Sequence, residues 1–141
     1  MTVNIRQITE ADIEGFHTAL DIVARERKYL TFLEAPPLEQ TAAFVRRNIA
    51  EGYPQLVVLD NNEVVGWCDV TRPDRPVMAH VGVLGMGLLP TYRGRGLGQQ
   101  LMTEALAAAK AAGFSRVQLG VLASNHRAAA LYRKMRFVEE V

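Results

Sequence analysis

The sequence predicts a single α/β domain over residues 1–141, in which a sheet is flanked by about four helices. This length is sufficient for one hydrophobic core and too short for a second. Apolar residues make up 49% and charged residues 22%, as in soluble globular proteins, so the chain is expected to fold. Apolar side chains alternate along some segments and recur every three or four residues along others, which predicts both strands and helices.

The N-terminal part predicts a strand followed by two helices. Residues 3–8 alternate apolar and polar side chains, which is typical of a half-buried strand. Thr9, with Asp12 three residues later, resembles a capping box, and apolar residues then recur at helical spacing. The first helix is predicted to continue to about residue 29, and a second helix is predicted for residues 38–51.

The middle part predicts a hairpin and then an interior strand. Residues 55–60 and 63–71 have strand patterns, and we interpret them as an antiparallel pair. Asn61 and Asn62 join them, and asparagine tolerates the positive φ of a two-residue hairpin turn. Residues 78–89 are apolar on both faces, which is typical of a strand with neighbours on both sides.

The C-terminal part predicts two helices that alternate with two strands. The first helix covers residues 97–112 and stops at Gly113, a usual residue after a helix C-terminus. A strand at residues 115–121, a helix at residues 125–135 and the start of a last strand at residues 137–141 follow.

Composition and sequence patterns predict where the protein is located and which classes of partner it binds. The first twelve residues carry charges and do not resemble a signal peptide, and the apolar run at residues 77–90 is too short to span a bilayer. We therefore expect a soluble, cytoplasmic protein without a membrane partner. Cys68 is the single cysteine, and the three histidines lack ligand spacing, so no metal site is predicted. Basic residues are not interleaved with aromatic ones, which argues against nucleic-acid binding.

Charge is distributed unevenly along the chain. Residues 1–90 hold 8 basic and 12 acidic side chains, a balance of −4, whereas residues 91–141 hold 8 basic and 3 acidic ones, a balance of +5. This asymmetry suits an anionic ligand on the C-terminal part, although ordinary surface variation explains it equally well.

A glycine-rich stretch, "YRGRGLG" at residues 92–98, lies between the predicted interior strand and a helix. In that position, backbone N–H groups and the helix dipole can face an anion. No Gly-Lys-Ser/Thr follows, so the stretch is not the phosphate loop of nucleotide hydrolases. Gln99 and Gln100 exclude the dinucleotide spacing, and Gln118 stands where a ribose-binding acid is needed.

The spacing Arg93-x-x-Gly96-x-Gly98 resembles the signature of the GNAT superfamily of acetyl-CoA-dependent N-acetyltransferases. "LGMGLLPTYRGRGLGQQLM" (84–102) is similar to the family's central strand, pyrophosphate loop and helix, and "SNHRAAALYRKMRF" (124–137) is similar to its second conserved block. The resemblance implies an α/β (α+β) fold with a mixed, mostly antiparallel central sheet. Relatives commonly continue beyond the position of Val141, so either the chain is a fragment or a partner, such as the second copy in a homodimer, completes the sheet.

The resemblance also implies a set of residues that contact acetyl-CoA: Leu88, Leu89, Arg93, Gly94, Arg95, Gly96, Leu97, Gly98 and Asn125. The glycines have no Cβ and let the backbone approach phosphate. Tyr132 is implied to protonate the departing thiolate. Asn125 and Tyr132 are seven residues apart, which on a helix places them on one stripe roughly 10 Å apart. The alternatives are a helix cap for Asn125, a core position for Tyr132 and a solvated turn for the two arginines.

The base that deprotonates an acceptor amine is not evident from the sequence. Many relatives use a glutamate on the central strand, but this chain has no carboxylate between Asp74 and Glu104. The candidates are His80, Asp69 and Glu34, the last in a segment that often shapes the family's acceptor pocket. We expect ordered water, held by His80 and Asp69 or by carbonyl groups near the strand glycines, to carry the proton so that no single side chain is indispensable.

The function implied by the resemblance is transfer of an acetyl group from acetyl-CoA to a primary amine by direct attack in a ternary complex. A small amine or amino acid is favoured as acceptor over a protein amine. The alternative is a non-catalytic module that binds or senses acyl-CoA, which would explain the missing carboxylate.

Overall fold

The computed structural model describes residues 3–28, 30, 33–72, 80–120 and 125–138. These residues form one five-stranded sheet and four α-helices. The strands are β1 (Val3–Gln7), β2 (Gln55–Asp60), β3 (Glu63–Thr71), β4 (Val81–Leu88) and β5 (Arg116–Gln118). The helices are α1 (Ile13–Arg25), α2 (Leu38–Glu51), α3 (Leu97–Ala111) and α4 (His126–Lys134). In the part of the chain that the structure describes, no helix is long and apolar enough to cross a membrane.

The sheet has the strand order β1-β2-β3-β4-β5. Strands β1 to β4 pair antiparallel with their neighbours, and β4 pairs parallel with β5. The predicted mixed, mostly antiparallel sheet is therefore confirmed, and β4 has neighbours on both sides as its two apolar faces predicted.

Local signals in the sequence determined several element ends. The Asp12 carboxylate accepts a hydrogen bond from the Thr9 amide at 2.8 Å and two from the Arg6 guanidinium at 2.6 and 2.9 Å, which confirms the capping interaction. Asn61 and Asn62 have φ values of 51° and 67°, as the predicted hairpin turn requires.

Three elements differ most from their predicted bounds. Helix α1 ends at Arg25, four residues before its predicted end, and Arg27 already has a left-handed φ of 59°. Strand β4 begins at Val81, and β5 covers three residues because its pairing with β4 does not continue further. Residues 29, 78–79, 121–124 and 139–141, including most of the predicted last strand, lie outside the described residues.

The core has two apolar clusters, one on each face of the sheet. The first contains Phe16 and Trp67 beneath α1 and α2, and their rings meet edge to face at 5.6 Å. The second contains Cys68 and the buried residues Leu101 and Met102 of α3. Trp67 and Cys68 point to opposite faces because side chains alternate along a strand.

Candidate active site

The glycine loop (residues 93–96) connects the end of β4 to the start of α3. A one-turn 3-10 helix at Pro90–Tyr92 precedes it. Gly94 and Gly96 have φ values of 75° and 79°, a left-handed conformation that favours glycine over residues with a Cβ. Gly96 is the N-cap of α3, and among the described residues no side chain caps that end. The first amides of α3 are therefore oriented to bind an anion.

Two side chains hold the glycine loop against the protein. The Tyr92 hydroxyl donates a 2.5 Å hydrogen bond to Asp60 at the β2–β3 turn. Arg93 donates two hydrogen bonds to the Glu26 carboxylate at 2.9 and 2.6 Å and a third to the Leu88 carbonyl at 3.0 Å. The side chain of Arg93 is 15% exposed. A solvated turn is therefore excluded for Arg93, whose guanidinium binds protein groups.

Two further arginines, one inside the glycine loop and one on α4, add positive charge here. The guanidinium of Arg95 lies 5.4 Å from the centre of the Tyr92 ring. Arg127, in the first turn of α4, has a nitrogen 3.8 Å from the position that a Cβ on Gly94 would occupy. Arg127 was not predicted from the sequence, although the excess of basic residues in the C-terminal part was a signal for it.

Strands β4 and β5 separate close to the glycine loop. Strand β4 pairs with β5 from Val81 to Val83 only, whereas it pairs with β3 from Val83 to Leu88. Within the described ranges, the edge of β4 beyond Val83 has no strand partner on the β5 side. We call this space the β4–β5 opening. Backbone groups along an unpaired strand edge can hydrogen-bond an extended ligand.

The backbone of Leu89 already forms hydrogen bonds within the protein. Its amide donates to the Val65 carbonyl at 2.9 Å, and its carbonyl accepts from the Tyr92 amide at 2.9 Å. The amide is not available to the predicted arm because it pairs with β3 at the turn into the 3-10 helix, whereas the carbonyl keeps one lone pair. The Leu88 carbonyl also accepts the hydrogen bond from Arg93, which leaves one lone pair.

Helix α4 carries the second predicted motif. The Asn125 side chain accepts a 3.2 Å hydrogen bond from the Ala128 amide, so it caps the helix, as the alternative interpretation stated. Burial, and to a smaller degree the Cys68 thiol, raise the pKa of Tyr132 to about 12. The Tyr132 hydroxyl therefore stays protonated at neutral pH. Its ring packs edge to face on Phe137 at 6.0 Å.

Asp69 is a buried carboxylate on β3, with 7% of its surface exposed. Its register partner on β4 is Gly85, where an added Cβ would lie 3.2 Å from the Asp69 Oδ1 atom. Burial raises the pKa of Asp69 to about 7, although a backbone hydrogen bond from Gly85 opposes the increase. Among the residues that the structure describes, no cation pairs with it. A carboxylate with this pKa can accept a proton near neutral pH.

The other two base candidates lie elsewhere. His80 is exposed in the turn before β4, five residues before Gly85, or about 17 Å along an extended strand. Glu34 has 68% of its side chain exposed and forms an ion pair with Arg25 at 3.1 Å. The structure therefore brings neither of them to Asp69.

The glycines of β4 accommodate large groups from β3. A Cβ on Gly87 would lie 2.4 Å from the Trp67 ring. Glycine inside a strand indicates a bulge or a close approach, and the structure shows close approaches at Gly85 and Gly87. The strand irregularity lies instead in the β2–β3 ladder, between Val58 and Leu59.

A buried amide pair next to Asp69 was missed from the sequence. Gln55 is the register partner of Asp69 on β2, and its side chain accepts a 2.8 Å hydrogen bond from Asn48 of α2. Both residues are almost completely buried, and the Gln55 Nε2 atom has no hydrogen-bond partner among the described residues. A glutamine at the start of an apolar strand was the available signal.

A cavity of about 660 Å³ lies between β5 and the end of α4. Tyr132, Gln118 and Phe137 contribute to its wall, and no residue of the glycine loop does. It therefore lies at the β5 end of the sheet.

Comparison with known proteins assigns this architecture to a family. The profile described as the Acetyltransferase (GNAT) family matches residues 18–137, which include the glycine loop and α4. The chain belongs to the GNAT acetyltransferase family. As a GNAT protein it is an acyltransferase.

Relatives and solved GNAT structures agree with this assignment. The chain is 28% identical to a ribosomal protein bS18 alanine N-acetyltransferase of Haemophilus influenzae, over 81% of this chain and 75% of the relative. A putative enzyme of the same description from Bacillus subtilis is 32% identical over 56% of this chain and 50% of the relative.

Among solved structures, a GNAT acetyltransferase from Streptococcus pneumoniae has a TM-score of 0.89 and 26% identity, covering 99% of this chain and 86% of that one. A phosphinothricin acetyltransferase from Sinorhizobium meliloti, solved with acetyl-CoA, has a TM-score of 0.91 and 22% identity. The match covers 100% of this chain and 77% of that one. The expected GNAT fold is thus confirmed.

Proposed function

We propose that this protein transfers the acetyl group of acetyl-CoA to a primary amine, which attacks the thioester directly in a ternary complex. The observation that carries the proposal is the β4–β5 opening, which leads directly to the glycine loop and the start of α3. An extended thioester arm and a charged pyrophosphate need these two features side by side. The structure of the Sinorhizobium meliloti relative with acetyl-CoA supports the choice of co-substrate.

The fit to acetyl-CoA rests on residues of the glycine loop and α3. The backbone amides of Gly94 to Gly98 would bind the pyrophosphate, and Arg95 and Arg127 would add positive charge close to it. The free edge of β4 would hydrogen-bond the pantetheine arm up to Leu88, and Asn125 would contact the same arm from α4.

The acceptor amine must lose a proton during the reaction. Its nitrogen forms a bond to the thioester carbon, the carbon–sulfur bond breaks, and the coenzyme leaves as a thiolate. We propose that Asp69 receives the amine proton through an ordered water beside Gly85, because its pKa of about 7 suits a base at neutral pH.

Tyr132 would act on the leaving sulfur. A thiol has an ordinary pKa of about 8.5, well below the pKa of about 12 that burial gives Tyr132. Complete proton transfer from Tyr132 to the thiolate would therefore be uphill. The tyrosine would stabilise the developing negative charge as a hydrogen-bond donor.

We propose an α-amine as the acceptor. Terminal α-amines have pKa values of about 7.7–8.0, whereas the lysine side chain has a pKa of about 10.4. A base with a pKa of about 7 is better matched to the α-amine. The Haemophilus influenzae relative is described as acting on an alanine of a ribosomal protein, which supports the same class.

A thiol-release assay tests this function. Acetyl-CoA would be incubated with the protein and with alanine amide, a short peptide that begins with alanine, or Nα-acetyl-lysine. We expect thiol release that depends on the acceptor and is faster with the α-amines. Binding of acetyl-CoA without release for any acceptor would support the sensing module instead.

Replacing Tyr132 by phenylalanine tests the role of its hydroxyl. We expect kcat to fall by about 10²-fold with little change in the KM for acetyl-CoA, because the lost hydrogen bond forms mainly in the transition state. Tyr53→Phe is the matched control, since Tyr53 is a buried tyrosine of the same apolar cluster. Equal activity of Tyr132→Phe and the wild type would leave Tyr132 as a core residue only.

A further inference from the structure

The ion pair between Glu26 and Arg93 joins two parts of the molecule that the sequence separates by 67 residues. Glu26 is the C-cap residue of α1, and Arg93 is the first residue of the glycine loop. Both guanidinium NH₂ groups of Arg93 bind the carboxylate, and its Nε binds the Leu88 carbonyl. One side chain therefore connects the end of α1, the end of β4 and the glycine loop.

Glu26 also starts the segment between α1 and α2, which we call the acceptor segment (residues 26–37). Its far end is attached to α1, because Asp21 accepts a 3.0 Å hydrogen bond from the Ala35 amide and His17 contacts the Pro36 carbonyl at 2.8 Å. Its near end is attached to the glycine loop through the ion pair. The two described ends of the acceptor segment are thus held, one by the glycine loop and the other by α1.

This ion pair is more shielded from water than a typical surface pair. The side chains of Arg93 and Glu26 are only 15% and 25% exposed, and the contact is bidentate. Bidentate pairs shielded from water hold their geometry better than exposed pairs, which contribute little. By contrast, Arg46 and Glu10 form an ion pair with 61% and 63% exposure.

We infer that Glu26 is a positioning residue: through Arg93 it holds the glycine loop in its binding geometry and couples acetyl-CoA binding to the acceptor segment. The inference rests on the proposed function for the identity of the ligand. Because coupling between two sites is reciprocal, ordering of the loop by acetyl-CoA would also order the acceptor segment. The cofactor would then prepare the site of the second substrate.

A simple charge effect predicts the opposite change in the affinity for acetyl-CoA. If Glu26 only neutralised Arg93, its replacement by glutamine would release a cation beside the glycine loop and tighten the binding of a polyanionic ligand. If Glu26 positions the loop, the same replacement would weaken binding. The direction of the change therefore separates the two explanations.

Calorimetric titration with acetyl-CoA measures whether replacing Glu26 weakens or tightens binding. We expect Glu26→Gln and Arg93→Gln each to raise the Kd by roughly 5-fold or more, and the double variant to be no weaker than the worse single one. Glu10→Gln is the matched control, because it breaks the exposed pair with Arg46 and should leave the Kd unchanged. Unchanged or tighter binding by Glu26→Gln would overturn the inference.

Hydrogen exchange of the acceptor segment gives a second readout, independent of catalysis. At saturating acetyl-CoA, we expect slower amide exchange in residues 26–37 of the wild type and no slowing in Glu26→Gln. The same slowing in both proteins would show that the ion pair does not couple the two sites. A wild type that does not bind acetyl-CoA would overturn the proposed function, and this inference with it.

Discussion

Replacement of Asp69 by asparagine is expected to lower kcat/KM by about 10²–10⁴-fold, the usual contribution of a positioned general base. Asparagine has nearly the same shape but cannot accept the proton of the attacking amine. In the wild type, kcat/KM should fall below about pH 7, where Asp69 becomes protonated. Steady-state kinetics between pH 5 and 9 with two acceptors of different basicity would measure both effects.

The other base candidates provide the comparison for this variant. Because His80 is exposed and Glu34 is exposed and paired with Arg25, we expect His80→Gln and Glu34→Gln to lose less than about 10-fold in activity. If Asp69→Asn also loses little, and the pH profile follows the pKa of each acceptor, water without a dedicated base carries the proton.

The same variant should be more stable than the wild type at alkaline pH. The pKa of Asp69 is raised from 3.8 to about 7 by burial, so the folded state binds a proton more tightly than the unfolded state. The stability of the wild type should therefore decrease as the pH rises from about 4 to 7. This decrease is at most about 4 kcal/mol, at about 1.4 kcal/mol for each pKa unit, and Asp69→Asn should lack it.

Denaturant unfolding at pH 5 and pH 8 measures this second effect. We expect the free energy of unfolding of the wild type to fall by up to about 3 kcal/mol more than that of the variant between pH 5 and pH 8, because about two of the pKa units lie in this range. If Asp69→Asn is less stable than the wild type at both pH values, Asp69 has a structural role. A gain in stability together with a loss of activity is the behaviour of a residue kept for function.

The glutamate variant of Gly96 is expected to abolish binding of acetyl-CoA. It places a carboxylate at the N-cap of α3, where the phosphates would otherwise meet the helix amides. A ligand at 100 times its Kd stabilises the wild type by about 2.7 kcal/mol, because it binds only the folded state. The melting temperature of the wild type should therefore rise with acetyl-CoA, and that of Gly96→Glu should not.

A second glycine controls for backbone strain in this experiment. Gly52 has a φ of 74°, close to the 79° of Gly96, and at both positions an added Cβ meets no atom within 4 Å. Gly52 follows α2, away from the glycine loop. Gly52→Glu should lower the melting temperature of the free protein to a similar degree and keep the full shift with acetyl-CoA. An equal shift in Gly96→Glu would disprove the anion site.

Local chemistry was sufficient to predict most of the fold from the sequence. The Asn61–Asn62 turn, the end of α3 at Gly113 and the capping interaction of Asp12 depend on neighbours in the chain, and the structure contains each of them. The glycine loop could be predicted for the same reason, since its left-handed glycines and the helix after it are adjacent residues.

The tertiary structure decided the properties that depend on distant residues. The sequence showed Arg93 in a binding motif, but only the approach of Glu26 directed its guanidinium to the protein. Asp69 was one of three base candidates, and it became distinct because packing against β4 removed it from water. The β4–β5 opening likewise follows from where two strands stop pairing. Residue order determines turns and helix ends, whereas burial, charge pairing and strand separation arise only when the elements pack together.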